Sequence, residues 1–201
     1  MELGSLGRLL DLDARNFLLD QLGQGSVGME IGVHKGAFTR RILKRVQPRL
    51  LYLVDPWKYE TSGIYRHSWY GGWMGGSQAR MDRRCQGVQE RFARNIAVGS
   101  VKVLRAYSGD ALASLPDNHL DWVYIDGNHL YEYVMADLRQ ALRCVRPGGL
   151  ITGDDYGEGG WWQGGVKRAV DELVQTHHAV EVVEIRNCQF ILRKRASAAV
   201  D

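Results

Sequence analysis

Gly28-Met29-Glu30-Ile31-Gly32-Val33-His34-Lys35-Gly36 is followed, one helix-length later, by Leu50-Leu51-Tyr52-Leu53-Val54-Asp55. An apolar strand that turns through two glycines into a helix, with an acid closing the next strand, describes a pocket for an adenosine-bearing cofactor. Glycine lets the backbone come close to a ligand, because no Cβ blocks the turn. A carboxylate at Asp55 can accept hydrogen bonds from both hydroxyls of a ribose.

Around this centre, the spacing of Phe17, Leu18, Leu19 and Leu22 predicts a helix near 10–23, stopped by Gly23 to Gly25. Strands are expected at Gly28 to Val33, Leu50 to Val54, Val101 to Ala106, Asp121 to Ile125 and Leu150 to Thr152. Their apolar runs are continuous rather than alternating, which fits a sheet covered on both faces. Helices are expected at Gly36 to Val46, Gln78 to Ile96, Ser108 to Leu115, Tyr131 to Cys144 and Val166 to Thr176. Arg146-Pro147-Gly148-Gly149 reads as a stop signal between a helix and a strand. Val180 to Ile185 and Gln189 to Leu192 read as a hairpin across Arg186-Asn187-Cys188. Strands alternating with helices imply a doubly wound parallel α/β sheet, and the hairpin adds an antiparallel edge. Residues 56–77 break the pattern with Trp57, Tyr59, Tyr65, Trp69, Tyr70 and Trp73 among glycines, the composition of a lid or substrate loop.

The chain of 201 residues suits one domain over 1–201, and 45% hydrophobic with 24% charged residues excludes disordered and fibrous classes. No apolar run is long enough for a membrane span, and Met1 to Gly7 lacks the features of a secretory signal, so a cytoplasmic protein is expected. Cys85, Cys144 and Cys188 form no CxxC pair, and reduced, inert thiols follow. The net charge of +3 is mild. Basic residues gather only at Arg80 to Arg84, Arg40 to Arg45 and Arg193 to Arg195, as on ordinary solvated helix faces, so a nucleic-acid partner is not expected. His34, Lys35, His67, His119 and the His177-His178 pair are scattered and are expected to serve surfaces.

Glu30-x-Gly32-x-x-x-Gly36, Asp55, Ser108-Gly109-Asp110, Asp126, Arg146-Pro147-Gly148-Gly149 and the closing hairpin, in this order, resemble the class I S-adenosylmethionine-dependent methyltransferases. Tyr124-Ile125-Asp126-Gly127-Asn128-His129-x-Tyr131-Glu132 with Gly153-Asp154-Asp155-Tyr156 looks like the subgroup of small bacterial O-methyltransferases, among them the macrocin type. The resemblance implies a Rossmann-like, mostly parallel seven-stranded sheet. It implies that Glu30, Gly32 and Gly36 shape the turn for the cofactor's amino-acid end and that Asp55 holds the ribose. Trp57 and Ser108 to Asp110 fall where relatives contact adenine, by stacking and by hydrogen bonding. The dinucleotide fingerprint G-x-G-x-x-G is absent, which favours S-adenosylmethionine over NAD.

Asp126 and the pair Asp154-Asp155 close neighbouring strands, so three carboxylates are expected to converge where ligands of such folds bind. Unpaired, they would repel and be driven toward protonation. A divalent cation, Mg²⁺ best and Mn²⁺ or Ca²⁺ otherwise, removes the conflict and would lower the pKa of a substrate hydroxyl. The same aspartates can also serve as a cap and turn with no metal. His129 lies where related metal-dependent enzymes carry a basic lysine; either it or Asp126 is the candidate base. Three readings stay open: metal-assisted O-methylation of a small hydroxylated molecule such as a natural-product sugar, metal-free methylation of nitrogen or RNA, and a non-catalytic cofactor-binding protein. The first helix and the aromatic loop are candidate interface material for a homo-oligomer.

Overall fold

The structure, a computed structural model, describes residues 15–196. The predicted first helix is helical over residues 15–21 (α1), and its stretch before residue 15, like Met1 to Gly7, lies outside the described residues. The elements that follow are β1 (Val27–Ile31), α2 (Ala37–Arg45), β2 (Leu50–Val54), α3 (Gly72–Gly75), α4 (Gln78–Arg91), α5 (Ala93–Ala97), β3 (Val101–Leu104), α6 (Ser108–Ala113), β4 (Leu120–Ile125), α7 (Tyr131–Cys144), β5 (Val145–Gly153), α8 (Gly165–Thr176), β6 (Val180–Arg186) and β7 (Gln189–Lys194).

The seven strands form one sheet in the order β3-β2-β1-β4-β5-β7-β6, with β1 to β5 parallel and β7 antiparallel to both of its neighbours. This is the Rossmann-like, doubly wound arrangement expected. The chain order reverses direction between β1 and β4, and the crevice beyond the carboxyl ends of these two strands is where such sheets take ligands.

Strand periodicity explains how continuous apolar runs serve two faces. Val27, Met29, Ile31, Tyr52, Val54, Val123 and Ile125 point to a core shared with α6, α7 and α8. Leu51, Leu53, Trp122 and Tyr124 point to the opposite core, which packs α1, α2 and α4 through Leu18, Leu19, Ile42, Met81 and Val88.

Two boundaries differ from the sequence expectation. Arg146-Pro147-Gly148-Gly149 does not end a helix before a strand; it belongs to β5, where the pairing with β4 slips between Leu120 and Trp122. A bulge accommodates Pro147, which has no N–H to give to a ladder. The single helix expected over Gln78 to Ile96 is broken at Phe92, which turns its buried ring toward Gly36. The terminal hairpin forms the antiparallel edge expected, with its second strand, β7, paired to β5 and β6 outermost.

Residues 56–77 carry a short helical turn at Gly63–Tyr65, α3 and a bridge between Glu60 and Gly71, so the aromatic segment folds back on itself. Among the described residues no helix is long and apolar enough to cross a membrane.

Candidate active site

The turn after β1 is built around Gly32. Its φ of +91° suits glycine, and a Cβ there would lie 1.8 Å from the backbone oxygen of Asp126. The turn is therefore pressed against the tip of β4, and only glycine permits that approach. Gly36, with φ +71°, leads into α2 beneath the Phe92 ring.

Glu30 lies under this turn, buried, and accepts a hydrogen bond from the Thr39 hydroxyl at 2.6 Å. Burial pushes its carboxyl up to about 8, against the smaller opposing pull of the Thr39 bond. Unfolded, the same group titrates near 4.5. Between these values the folded chain keeps a proton that the unfolded chain has released, so this stabilisation is complete below pH 4.5 and is lost as pH rises through 8. Glu30→Gln, which cannot ionise and still accepts from Thr39, is expected to gain melting temperature over the parent progressively from pH 5 to pH 8. A pH series of thermal melts reads this, and a constant difference contradicts it.

Asp55 is fully buried at the tip of β2. Its Oδ2 accepts from the His34 amide at 2.8 Å and from the Tyr70 hydroxyl, and its Oδ1 accepts from the Trp57 amide at 2.7 Å. Burial raises its pKa, and the Tyr70 bond is the strongest opposing influence. Two of the three donors are backbone and fixed. The third is a phenol on the aromatic loop, an O–H where a ribose would also offer an O–H, so the residues present fit an adenosine ligand. Tyr70→Phe removes that competitor, and one neutral hydrogen bond is worth roughly 1 kcal/mol. Cofactor affinity measured by calorimetry is expected to rise by about 3- to 10-fold; a fall would mean that Tyr70 helps to hold the ligand.

Other expected cofactor contacts have different surroundings. Trp57 is 0% exposed, with its Nε1 donating to the His34 carbonyl at 2.8 Å, so it braces the turn from inside instead of presenting a face to adenine. Ser108 and Asp110 begin α6, with Asp110 exposed. The Ser108 hydroxyl bonds buried Asp137, whose pKa rises to about 6 because burial outweighs that bond. His34 is not a surface group: it adopts φ +52°, packs against the Trp69 and Tyr70 rings, and has a buried Nε2 without a partner. Burial, then the charge of Arg84, lowers its pKa to about 4.

The acids at β4 and β5 come together but divide into two groups. Asp126, His129 and Asp155 place one ligand atom each within 4.8 Å of one another. His129 Nε2 is 2.8 Å from Asp155 and 3.4 Å from Asp126. Burial opposes the charged imidazole, but the hydrogen bonds it donates to Asp126 and Asp155 prevail and raise its pKa to about 10. Asp155 reaches His129 from a left-handed backbone, φ +60°. Asp154 points away: buried, it accepts from Arg15, Gln189 and the Asp155 amide. Its carboxyl is raised by burial and by the charge of Asp126. Arg15 Nη2 also lies 3.5 Å from Asp126. The conflict among three acids is thus met by Arg15 and His129. If a divalent cation displaces the imidazole proton, Asp126, His129 and Asp155 form a donor set for it, with a nitrogen ligand that favours Mn²⁺ over Mg²⁺.

Sequence reasoning missed Arg15, Gln189 and an aromatic wall. Trp162 stacks on His129 with ring centroids 4.9 Å apart, Trp161 stands 5.4 Å from Tyr65, and the Tyr65 hydroxyl accepts from Asn128 at 2.8 Å. The buried Trp162 Nε1 has no partner. The doubled tryptophan inside Gly157 to Gly165 was the available signal.

Sheet order, glycine turn and acid-tipped strands together define the fold class of the Rossmann-like methyltransferases. Among solved structures, a candidate rRNA-methylase from Clostridium thermocellum superposes with TM-score 0.62 at 14% identity, covering 96% of this chain and 97% of that one. An O-methyltransferase from Bacillus cereus in complex with SAH superposes with TM-score 0.59 at 18% identity, covering 96% of this chain and 81% of that one. At these identities the likeness is one of fold.

The chain belongs to the family described as "Methyltransferase domain", whose model matches residues 29–156. An uncharacterized protein, R132, of Acanthamoeba polyphaga mimivirus is 35% identical over 85 residues, 40% of this chain and 38% of that protein. The match thus spans little more than a third of the length of that curated relative.

Proposed function

We propose that this protein transfers a methyl group from S-adenosylmethionine to a hydroxyl of a small molecule, a natural-product sugar unit being the favoured type. The observation that carries the proposal is the packing of the Gly32 turn onto Asp126, with a glycine Cβ position 1.8 Å from that residue's backbone oxygen. This packing sets the donor turn against the residue whose carboxylate would take an acceptor's proton. Glu30, Gly32, Gly36 and Asp55 are the residues that would hold the cofactor, which supplies the electrophilic methyl when bound.

Asp126 accepts the hydroxyl proton as the acceptor oxygen attacks. His129, charged between Asp126 and Asp155, acts as a fixed donor that keeps the Asp126 carboxylate oriented. Tyr65, Trp161 and Trp162 wall the acceptor side, exclude water and offer apolar faces to a ring. Alignment does most of the work, because in-line displacement at carbon depends on near-attack geometry. As an alternative to this charged pairing, Asp126 and Asp155, joined by His129 once its ring has released its proton, would hold a divalent cation, and its chemistry would be to acidify the acceptor hydroxyl.

Labelled methyl transfer to a panel of hydroxylated sugars and phenols, amines and short RNAs tests the reading. Transfer to oxygen acceptors alone supports it, and transfer confined to amines or RNA overturns it. Running the panel with EDTA and with Mn²⁺ restored separates the cation from the rest: full turnover in EDTA removes the metal and leaves Asp126 as the base.

A further inference from the structure

A cavity of about 540 Å³ outside the methyl-transfer cleft is lined by Lys35, Arg80, Arg83, Arg84 and Arg91, together with Trp69, Trp73, Met74 and Gly87. None of these lining residues is acidic. Four of the cations come from α4, where Arg80, Arg84, Gly87 and Arg91 fall on one face and span about 16 Å along the helix axis. Neighbouring acids are engaged elsewhere, Asp82 with Arg105 and Glu90 with Gln86. Arg84 is 9% exposed, donates to the Trp69 and Met74 carbonyls, and keeps a buried Nε without any partner.

Concentrating so many guanidinium groups costs self-repulsion that a bound polyanion relieves. Guanidinium also matches phosphate oxygens in a bidentate manner. At the groove's rim Trp73 is 89% exposed, whereas Trp57 and Trp122 are fully buried. An indole held in water beside a cationic groove is a stacking platform for a planar base. The cavity volume falls in the range of small-ligand sites.

Gly87 supplies an independent sign. It sits inside a helix, where glycine is unfavourable, yet a Cβ there would meet nothing within 4 Å. The backbone does not require glycine at this position; what its absent side chain leaves open is the groove.

We propose that this groove binds a nucleoside diphosphate, its phosphates held by Arg80, Arg83, Arg91 and Lys35 and its base stacked on Trp73. Lys35 belongs to the Gly32–Gly36 turn and Trp69 packs on His34, so the ligand would lie against the outer side of the cofactor turn. The site stands whichever acceptor is methylated.

Calorimetry and tryptophan fluorescence with UDP test it on the intact chain. UDP is expected to bind at least fivefold more tightly than inorganic pyrophosphate, and Trp73→Ala to remove that advantage. Arg83→Glu with Arg91→Glu should weaken UDP binding by tenfold or more. Gly87→Leu, which fills open space on a helix that gains from the change, should abolish it while leaving the melting temperature unchanged or higher. Three results would overturn the proposal: no UDP binding at millimolar concentration, binding that survives Gly87→Leu but fails with Asp55→Ala, or a short oligoribonucleotide bound a hundredfold more tightly than UDP with a steep salt dependence.

Discussion

Asp126→Asn is expected to lower turnover by about 10²- to 10⁴-fold, the usual contribution of a positioned proton acceptor, while leaving cofactor affinity nearly unchanged. The amide keeps the size of the carboxylate and can still accept from His129, so the tip of β4 retains its shape. What it loses is the capacity to take a proton. Asp154→Asn makes the informative contrast. That carboxylate is buried against Arg15, Gln189 and Tyr124, so its loss should show mainly as a lower melting temperature with a modest change in turnover. Single-turnover methyl transfer with cofactor binding measured in parallel separates the two. Equal losses for both variants would mean that the three aspartates act as one unit, and an Asp126→Asn enzyme with parent turnover would remove Asp126 from the chemistry.

Gly32→Ala is expected to produce a large structural effect, because the contact a Cβ would make there is the shortest among the described glycines. The new Cβ would have to adopt φ +91° and would overlap the Asp126 backbone oxygen. Left-handed strain and the clash together cost on the order of 3 kcal/mol, equivalent to about 6–12 °C in melting temperature for a domain of this size. Cofactor binding should fall as well, because relief requires the turn to lift off β4. Gly23→Ala, outside the helices and strands at a position where a Cβ meets nothing within 4 Å, is the control expected to leave both quantities in place.

The sheet was legible because each of its signals is local. Glu30, Gly32, Gly36 and Asp55 stand within one strand-turn-helix-strand unit, and alternation along β1, β2 and β4 assigns their neighbours to two cores without reference to distant residues. The convergence of Asp126 with Asp155 followed from strand order alone. What strand order could not yield was the direction of each carboxylate. Asp154 and Asp155 are adjacent, yet a left-handed backbone at Asp155 sends it to His129 while Asp154 turns inward to Gln189, 35 positions later. Arg15 answers Asp154 across 139 positions, and no periodicity encodes such a pairing. Trp57 shows the same limit from the other side. Its place next to Asp55 suggested an adenine contact, but its ring is fully buried behind the turn, with the indole N–H given to the carbonyl of His34.

The position of β7 has a consequence for folding. Because residues 189–194 supply the hydrogen-bonded neighbour on one side of β5 and Gln189 anchors Asp154, the acidic crevice is unfinished until β7 has paired. Until then β5 presents an open edge, the kind of surface that nascent chains pair with promiscuously. Pairing of β7 thus closes the exposed edge of β5 and fixes Asp154 in the same step.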